Sequence, residues 1–395
     1  MLKRLRRTLH PVWSTRVLEV LALSLGFATL YLWRLGSLTK GLSSAEYLTK
    51  IQSDNLNTIW HNPTNGPFLL AQHFVSGLPA NKFLILRLVS SVLAVTIIIC
   101  LYFLLKNWFG RLAAFFATII FMSTPWVVLA GRSVAPDIAM LSPILLLAAC
   151  SWLIRTKGKP ISAWIVLCLA AGLSLYTPGL IWVVIAGLII GWRQLAAAVA
   201  KVPRPSFIAG LVVFFLTLVP LIWAIAAERS VAESVAGLPQ DWSSIFSKIG
   251  SIFWSGIALI WYARDSTDYS IGHSAVLTTL EVILLLFGIY ALGTRVRRVS
   301  YALLLFIAIA LVLAGLNNNP KFLLLALPSA ILLIAAGLRY LYVEWRTIFP
   351  RNPIPKYLAL FLMALIVAAQ FVYGAVYSIE AWPHTEQTKK IYVLK

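Results

Sequence analysis

Apolar runs close to the length that spans a bilayer recur along this chain and leave little of it for any other architecture. A membrane-crossing helix needs about 20 apolar residues. Eleven stretches approach that measure, at roughly 17–35, 83–105, 111–130, 136–154, 161–176, 178–192, 206–227, 275–293, 299–316, 321–343 and 357–378. With 60% hydrophobic and 12% charged residues in 395, the chain carries more apolar surface than a water-soluble core could bury. The expected fold is therefore all-α, a polytopic transmembrane bundle of about eleven spans forming one integral membrane domain over residues 1–395. The run from Ile161 to Trp192 is divided only by Tyr176-Thr177-Pro178-Gly179, where proline and glycine favour a tight hairpin over one overlong helix. The basic start MLKRLRR leads into an apolar run, Val17 to Trp33, with no small-residue cleavage site after it, and reads as an uncleaved first span.

The formal net charge of +20 would suggest nucleic acid in a soluble protein. Here the basic residues cluster in short loops between apolar runs, which is a topology signal, and no nucleic-acid partner is expected. With the amino terminus inside, every second loop is basic: Lys106/Arg111, Arg155/Lys157/Lys159, Arg193/Lys201/Arg204, Arg295/Arg297/Arg298 and Arg346/Arg351/Lys356. The alternate loops carry most of the acids, among them Glu46, Asp54, Asp137, Glu228, Asp265 and Asp268. The expected placement is a multi-pass plasma-membrane protein, amino terminus cytoplasmic and carboxyl terminus outside. Cys100, Cys150 and Cys168 each sit within an apolar stretch at no paired spacing and read as packing residues.

Two outer segments, 36–82 and 228–274, are too long to be simple connectors. In the second, Trp242, Ile245, Phe246, Ile249, Ile252 and Phe253 recur at helical spacing while Ser243, Ser244, Lys248 and Ser251 fill the other face, the pattern of a helix lying in the interface. The first offers a short helix after Ser43 and another from Pro67 to Val75.

Carboxylates at a membrane face are costly to desolvate and are often kept for a role. Glu46, in GLSSAEY, closes a Ser43-x-x-Glu46 capping box and could also face a cavity. Asp137, in GRSVAPDIAM, suits a helix first turn behind Pro136 and could equally serve a site. The topology puts both acids on one side of the membrane, where two loops can converge on one cleft. Arg132, Lys321 and Arg264 are basic groups on that side able to bind a phosphate, or to snorkel. His61 and His73 have no metal-ligand spacing. There is no P-loop, dinucleotide fingerprint or G-x-S-x-G motif, so any reaction would use a substrate that arrives already activated, such as a lipid-borne group.

In arrangement, residues 15–345 resemble the polytopic C-type glycosyltransferases, the superfamily of protein O-mannosyltransferases and the lipid A aminoarabinose transferase. The matching features are Glu46 in the first-loop acidic motif, HNPTNGPF at 61–68, Arg87 early in the second span and the Arg132-to-Asp137 turn. Gly172 with Tyr176-Thr177-Pro178-Gly179 and the late span NPKFLLLALPSAILLIAAG complete the series. Ala45 stands where many members have the first acid of a pair, and Lys321 where Arg is commoner. The large outer carboxyl-terminal domain of several members is not expected. Some members hold a divalent metal with acids of the two loops; the matching residues here do not commit this chain to one, and the cofactor stays unknown.

The resemblance implies transfer of a sugar from a polyprenyl-phosphate carrier to an acceptor, a glycan, lipid or protein, at the outer face. It implies an inverting reaction with Glu46 as first choice of general base, Asp137 orienting the acceptor or sharing that role, and Arg132, Lys321 and Arg264 stabilising the departing phosphate. The alternative is a transporter or flippase for a lipid-linked or anionic substrate, against which stands the lack of internal repeats and paired broken helices. A membrane scaffold would leave the acids incidental.

Overall fold

The structure is a computed structural model that describes residues 11–37, 39, 41–79, 82–239, 245–263, 268–348 and 353–394. Among the described residues it consists of helices and their connecting turns, and the β pairing is limited to two isolated bridges, Leu42 with Leu394 and Tyr262 with Ser274. It is an all-α polytopic membrane bundle. Among the described residues, seven helical stretches are long and apolar enough to cross a bilayer: Phe83–Phe109, Pro136–Arg155, Leu180–Val199, Arg204–Ala227, Arg297–Leu316, Pro320–Ile348 and Tyr357–His384. The helix Lys82–Phe109 has 28 residues, about 42 Å at 1.5 Å per residue.

The other four expected spans are also helical but shorter. Residues 111–130 break at Thr124, which is extended because Pro125 follows, giving Arg111–Ser123 and Pro125–Ala130. The first and eighth are the 17-residue helices Pro11–Phe27, continued by a π turn to Leu32, and Thr279–Arg295. The fifth is Ile161–Ser174, and the expected break follows it, with Leu180 opening the next helix.

The centre of the bundle is the stretch Pro320–Ile348, whose most apolar window is 94% buried, against 17% for Leu180–Val199 and Arg204–Ala227 at the periphery. Its closest neighbour is Thr279–Arg295. A Cβ at Gly288 would lie 1.9 Å from Leu333 O and one at Gly337 2.3 Å from Leu284 O, so two glycines permit backbone contact here. In a lipid solvent such close packing replaces the hydrophobic drive between helices.

The first long loop folds into three short helices, Ser44–Asp54, Leu56–His61 and Gly66–Ser76. In the second, the helix Ile245–Ile260 turns Lys248 inward and seats Ile252 on Gly315, while Ile249 and Phe253 are exposed. Trp242, Ser243 and Ser244 lie outside the described residues. At the opposite end of the bundle Glu19 takes the Arg111 guanidinium at 2.7 Å and Glu344 takes Arg295 at 3.2 Å.

The Leu42–Leu394 bridge requires the first long loop and residues 385–394 to share one side of the membrane. Single cysteines at exposed Gln52 and Lys389 are expected to react with a membrane-impermeant thiol reagent in intact cells, and one at Lys157 only after lysis. Labelling at Lys157 in intact cells would reverse the orientation.

Candidate functional site

The break before Pro125 leads into an irregular, buried segment, Gly131–Ala135, whose backbone groups need partners because no water reaches them. The sequence supplies them from neighbouring elements. Ser91 Oγ donates to Gly131 O at 3.0 Å, Ser90 Oγ to Ser133 O at 2.5 Å and Gln72 Nε2 to Val134 O at 2.7 Å. Of the backbone donors, Ala135 N–H goes to Ser133 Oγ at 3.0 Å and Val134 N–H to Glu46 Oε1 at 2.9 Å.

Glu46 thus does more than close its capping box, in which Ser43 N–H donates to Oε2 at 3.3 Å and Glu46 N–H to Ser43 Oγ at 3.2 Å. Ser133 Oγ also donates to Oε1 at 3.2 Å, and Arg87 Nη2 lies 3.8 Å from Oε2. The side chain is 1% exposed. Burial is the largest influence on its carboxyl and pushes it above the usual range, opposed by Arg87 and by the Val134, Ser43 and Ser133 donors.

Two guanidiniums line the cleft that this carboxylate enters, and Arg87 is the one paired with it. Arg132 donates to Leu30 O at 2.5 Å and Trp33 O at 2.6 Å, carbonyls left open where the first helix ends. Arg87 donates to Leu35 O at 3.0 Å and Thr39 Oγ1 at 2.6 Å. Both are 4% exposed, and among the described residues the Nε of each is buried without a hydrogen-bond partner. Burial, and then the nearby Arg87 charge, lower the Arg132 guanidinium to about 10, so it remains a cation at neutral pH. With Glu46, Ser133, Trp382 and Tyr392, the pair lines a narrow cleft.

A second cluster is built by two 3-10 turns, Pro136–Leu141 and Pro320–Ala326, each opening a long helix behind a proline and packed on one another. Their contact brings Lys321 Nζ to 2.9 Å from Asp137 Oδ2. The same ammonium lies 3.1 Å from Asp268 Oδ2 and 5.3 Å from the centre of the Tyr269 ring. Tyr269 donates its hydroxyl to Asp137 Oδ2 at 2.6 Å. Burial and the adjacent Asp137 charge push that phenol well above its ordinary range, keeping it a neutral donor. Ser133 bonds Glu46 and lies within hydrogen-bonding reach of Tyr269, which links the two clusters.

The sequence-predicted residues therefore divide. Glu46 and Arg132 share the cleft, Asp137 and Lys321 form a pair, and Arg264 lies outside the described residues. Lys321, expected to be free for phosphate, is already held between two carboxylates. Asp268 and Tyr269 were not singled out by sequence, since the Asp-Tyr pair in the second long loop has no spacing that marks it. His61 Nδ1 bonds Asn57 O at 2.8 Å and His73 Nδ1 bonds Ser53 O at 2.7 Å. Among the described residues no group of three or more His, Cys, Asp and Glu converges. An open cavity of about 520 Å³, lined by Thr64, Ser234, Lys248, Asn317, Asn318 and Phe322, lies beside the 3-10 turn of Lys321.

Residues 67–223 match the family model described as dolichyl-phosphate-mannose-protein mannosyltransferase. No curated protein matches the sequence. Among solved structures, ArnT from Cupriavidus metallidurans in the apo state is similar with a TM-score of 0.60 at 14% identity, over 97% of this chain and 78% of that one. The same protein bound to undecaprenyl phosphate gives 0.57 at 12%, over 93% and 75%. The archaeal oligosaccharyltransferase AglB from Archaeoglobus fulgidus, in complex with an inhibitory peptide and a dolichol-phosphate, gives 0.56 at 11%, over 93% and 56%.

Removing the ammonium would leave Asp137 and Asp268 facing each other, half-buried. Lys321→Met is expected to lower stability by about 1–3 kcal/mol, discounted from buried-pair values for the residual exposure of all three side chains. Adding Asp268→Asn should restore part of the loss. Thermal unfolding of the four proteins of this cycle in detergent measures the coupling, and strict additivity would deny it.

Proposed function

We infer that this chain is a polytopic C-type membrane glycosyltransferase that transfers a sugar from a polyprenyl-phosphate carrier to an acceptor hydroxyl, a reading supported by its partial family match and its fold. The observation that carries the reading is the cleft lined by buried Arg87 and Arg132, where the single carboxylate present pairs with Arg87 and the Nε–H of each guanidinium has no hydrogen-bond partner. A lipid phosphate is an anion that must be held where water is scarce, and an excess of preorganised cationic donors meets that need. The neighbouring cluster has the opposite balance, two carboxylates about one ammonium, and suits the acceptor side.

In this reading the acceptor oxygen attacks the anomeric carbon as the bond from that carbon to the phosphate oxygen breaks. The bonding pair leaves with the phosphate, whose added charge the two guanidiniums stabilise. The acceptor proton passes to a carboxylate. Glu46 has its oxygens committed to Ser43, Ser133 and Val134 and is fully enclosed. Asp137 takes Lys321 and Tyr269 on Oδ2, so its Oδ1 is the better-placed base. Glu46 is then the counter-charge that positions Arg87, and through Val134 it holds the segment that carries Arg132. The cavity of about 520 Å³ that Phe322 of the Lys321 turn lines falls in the roughly 300–1,000 Å³ range of ligand sites and is the space in which this reading puts the acceptor. The distribution of basic loops supports an outer-face location for this end.

The test is release of labelled sugar from a polyprenyl-phosphate sugar by purified protein in detergent with a hydroxyl acceptor. Asp137→Asn is expected to lower turnover by about 10²-fold or more with donor binding little changed. Glu46→Gln, which can still close a capping box, should stay within about tenfold. The reverse order would return the base role to Glu46, and no release by the unaltered protein would remove the reading.

A further inference from the structure

The arginine cleft is closed. Its cavity volume is about 10 Å³, room for about one water, and one wall comes from Trp382, near the end of the last long stretch, and Tyr392, beyond it. Trp382 donates its indole N–H to Asp268 O at 2.8 Å, and its ring meets Tyr392 edge-on at 5.2 Å. The turn Glu386–Ile391 then carries Tyr392 into the cleft, 5% exposed, where Glu46, Asp268, Arg87 and Asp137 all act on its hydroxyl. Leu394 closes the strap on the first loop, with Leu42 N–H to Leu394 O at 2.7 Å and Leu394 N–H to Leu42 O at 3.2 Å. Between these contacts the outer side of the strap, Glu386, Lys389, Lys390 and Val393, is exposed, while Thr388 is buried and Ile391 packs on the core.

We propose that residues 385–394 are a strap that opens to admit the donor's lipid phosphate and closes behind it, delivering the Tyr392 hydroxyl as a phosphate ligand alongside Arg87 and Arg132. This rests on the reading of the cleft as a phosphate site. A neutral phenol is a fitting third donor, since it adds a hydrogen bond to the anion without adding to the repulsion between the two guanidiniums. Closure also removes water from the phosphate and strengthens every charge interaction there. Gly41 is part of the latch: a Cβ there would lie 2.5 Å from Leu394 O and 3.0 Å from Tyr392 O.

The experiment measures binding of polyprenyl phosphate to the full chain in detergent or nanodiscs. Leu42 and Leu394 exchange both backbone hydrogen bonds, a pair whose Cα atoms sit about 5.5 Å apart, within disulfide range. Leu42→Cys with Leu394→Cys, in a background with Cys100, Cys150 and Cys168 changed to Ala, therefore locks the strap when oxidised. Locked protein is expected to bind at least about tenfold more slowly and to recover on reduction. Tyr392→Phe should weaken binding about tenfold, the order of one hydrogen bond to a charged group. Gly41→Val, which lifts the strap, should speed both entry and release. A locked protein that binds as fast as the reduced one, or Gly41→Val and Tyr392→Phe proteins that bind like the unaltered chain, would overturn the strap while leaving the phosphate site standing. An unaltered chain that binds no polyprenyl phosphate would overturn both.

Discussion

The architecture of the site depends on one buried carboxylate. Glu46 begins as a local device, the fourth residue of a capping box, but its second oxygen satisfies the backbone of a segment 87 residues further on. That segment, Gly131–Ala135, is irregular backbone enclosed by helices, and such backbone is tolerated in a membrane protein only when every polar group finds a partner. Ser90, Ser91, Gln72 and Glu46 fill this role from three different elements. The order of the segment fixes Arg132 at its start and Asp137 just past its end. Without Glu46, Val134 N–H would be left buried and unsatisfied, and Arg87 would lose its counter-charge.

The charges about this tether are partitioned, not scattered. One side holds two guanidiniums against a single acid, the other two acids against a single ammonium, and Ser133 and Tyr269 join them. A cation excess and an anion excess held side by side in a low dielectric create a steep local field, which favours pulling a phosphate one way and a proton the other. Lys321 does not enlarge the cation side, because its charge is spent on Asp137 and Asp268. Its position instead fixes the spacing of those two acids.

Much of the fold was legible because lipid imposes so few solutions. A chain with recurrent apolar runs must be helical, and the runs and the Tyr176–Gly179 break are where sequence puts them. Exact lengths were less legible. Thr124 ends a helix because Pro125 follows it, and proline openings convert the starts at Pro136 and Pro320 to 3-10 turns, details to which hydropathy is blind. Lys248 shows the same limit: spacing marked it as polar face, and only the packing of Ile252 on Gly315 makes that face the inner one.

Local rules on the sequence determined the helical class, the capping box of Ser43 and Glu46, and the candidacy of Asp137, Arg132 and Lys321, because each depends on neighbours within a few residues or on a transfer free energy summed along a run. Tertiary structure alone decided which charges meet. That Glu46 is enclosed, that Lys321 belongs to Asp137 and Asp268, and that Tyr269 and Tyr392 enter the site all join residues dozens to hundreds of positions apart. Pair energies fall with distance in space, and spacing along the chain carries no information about that distance once helices have packed.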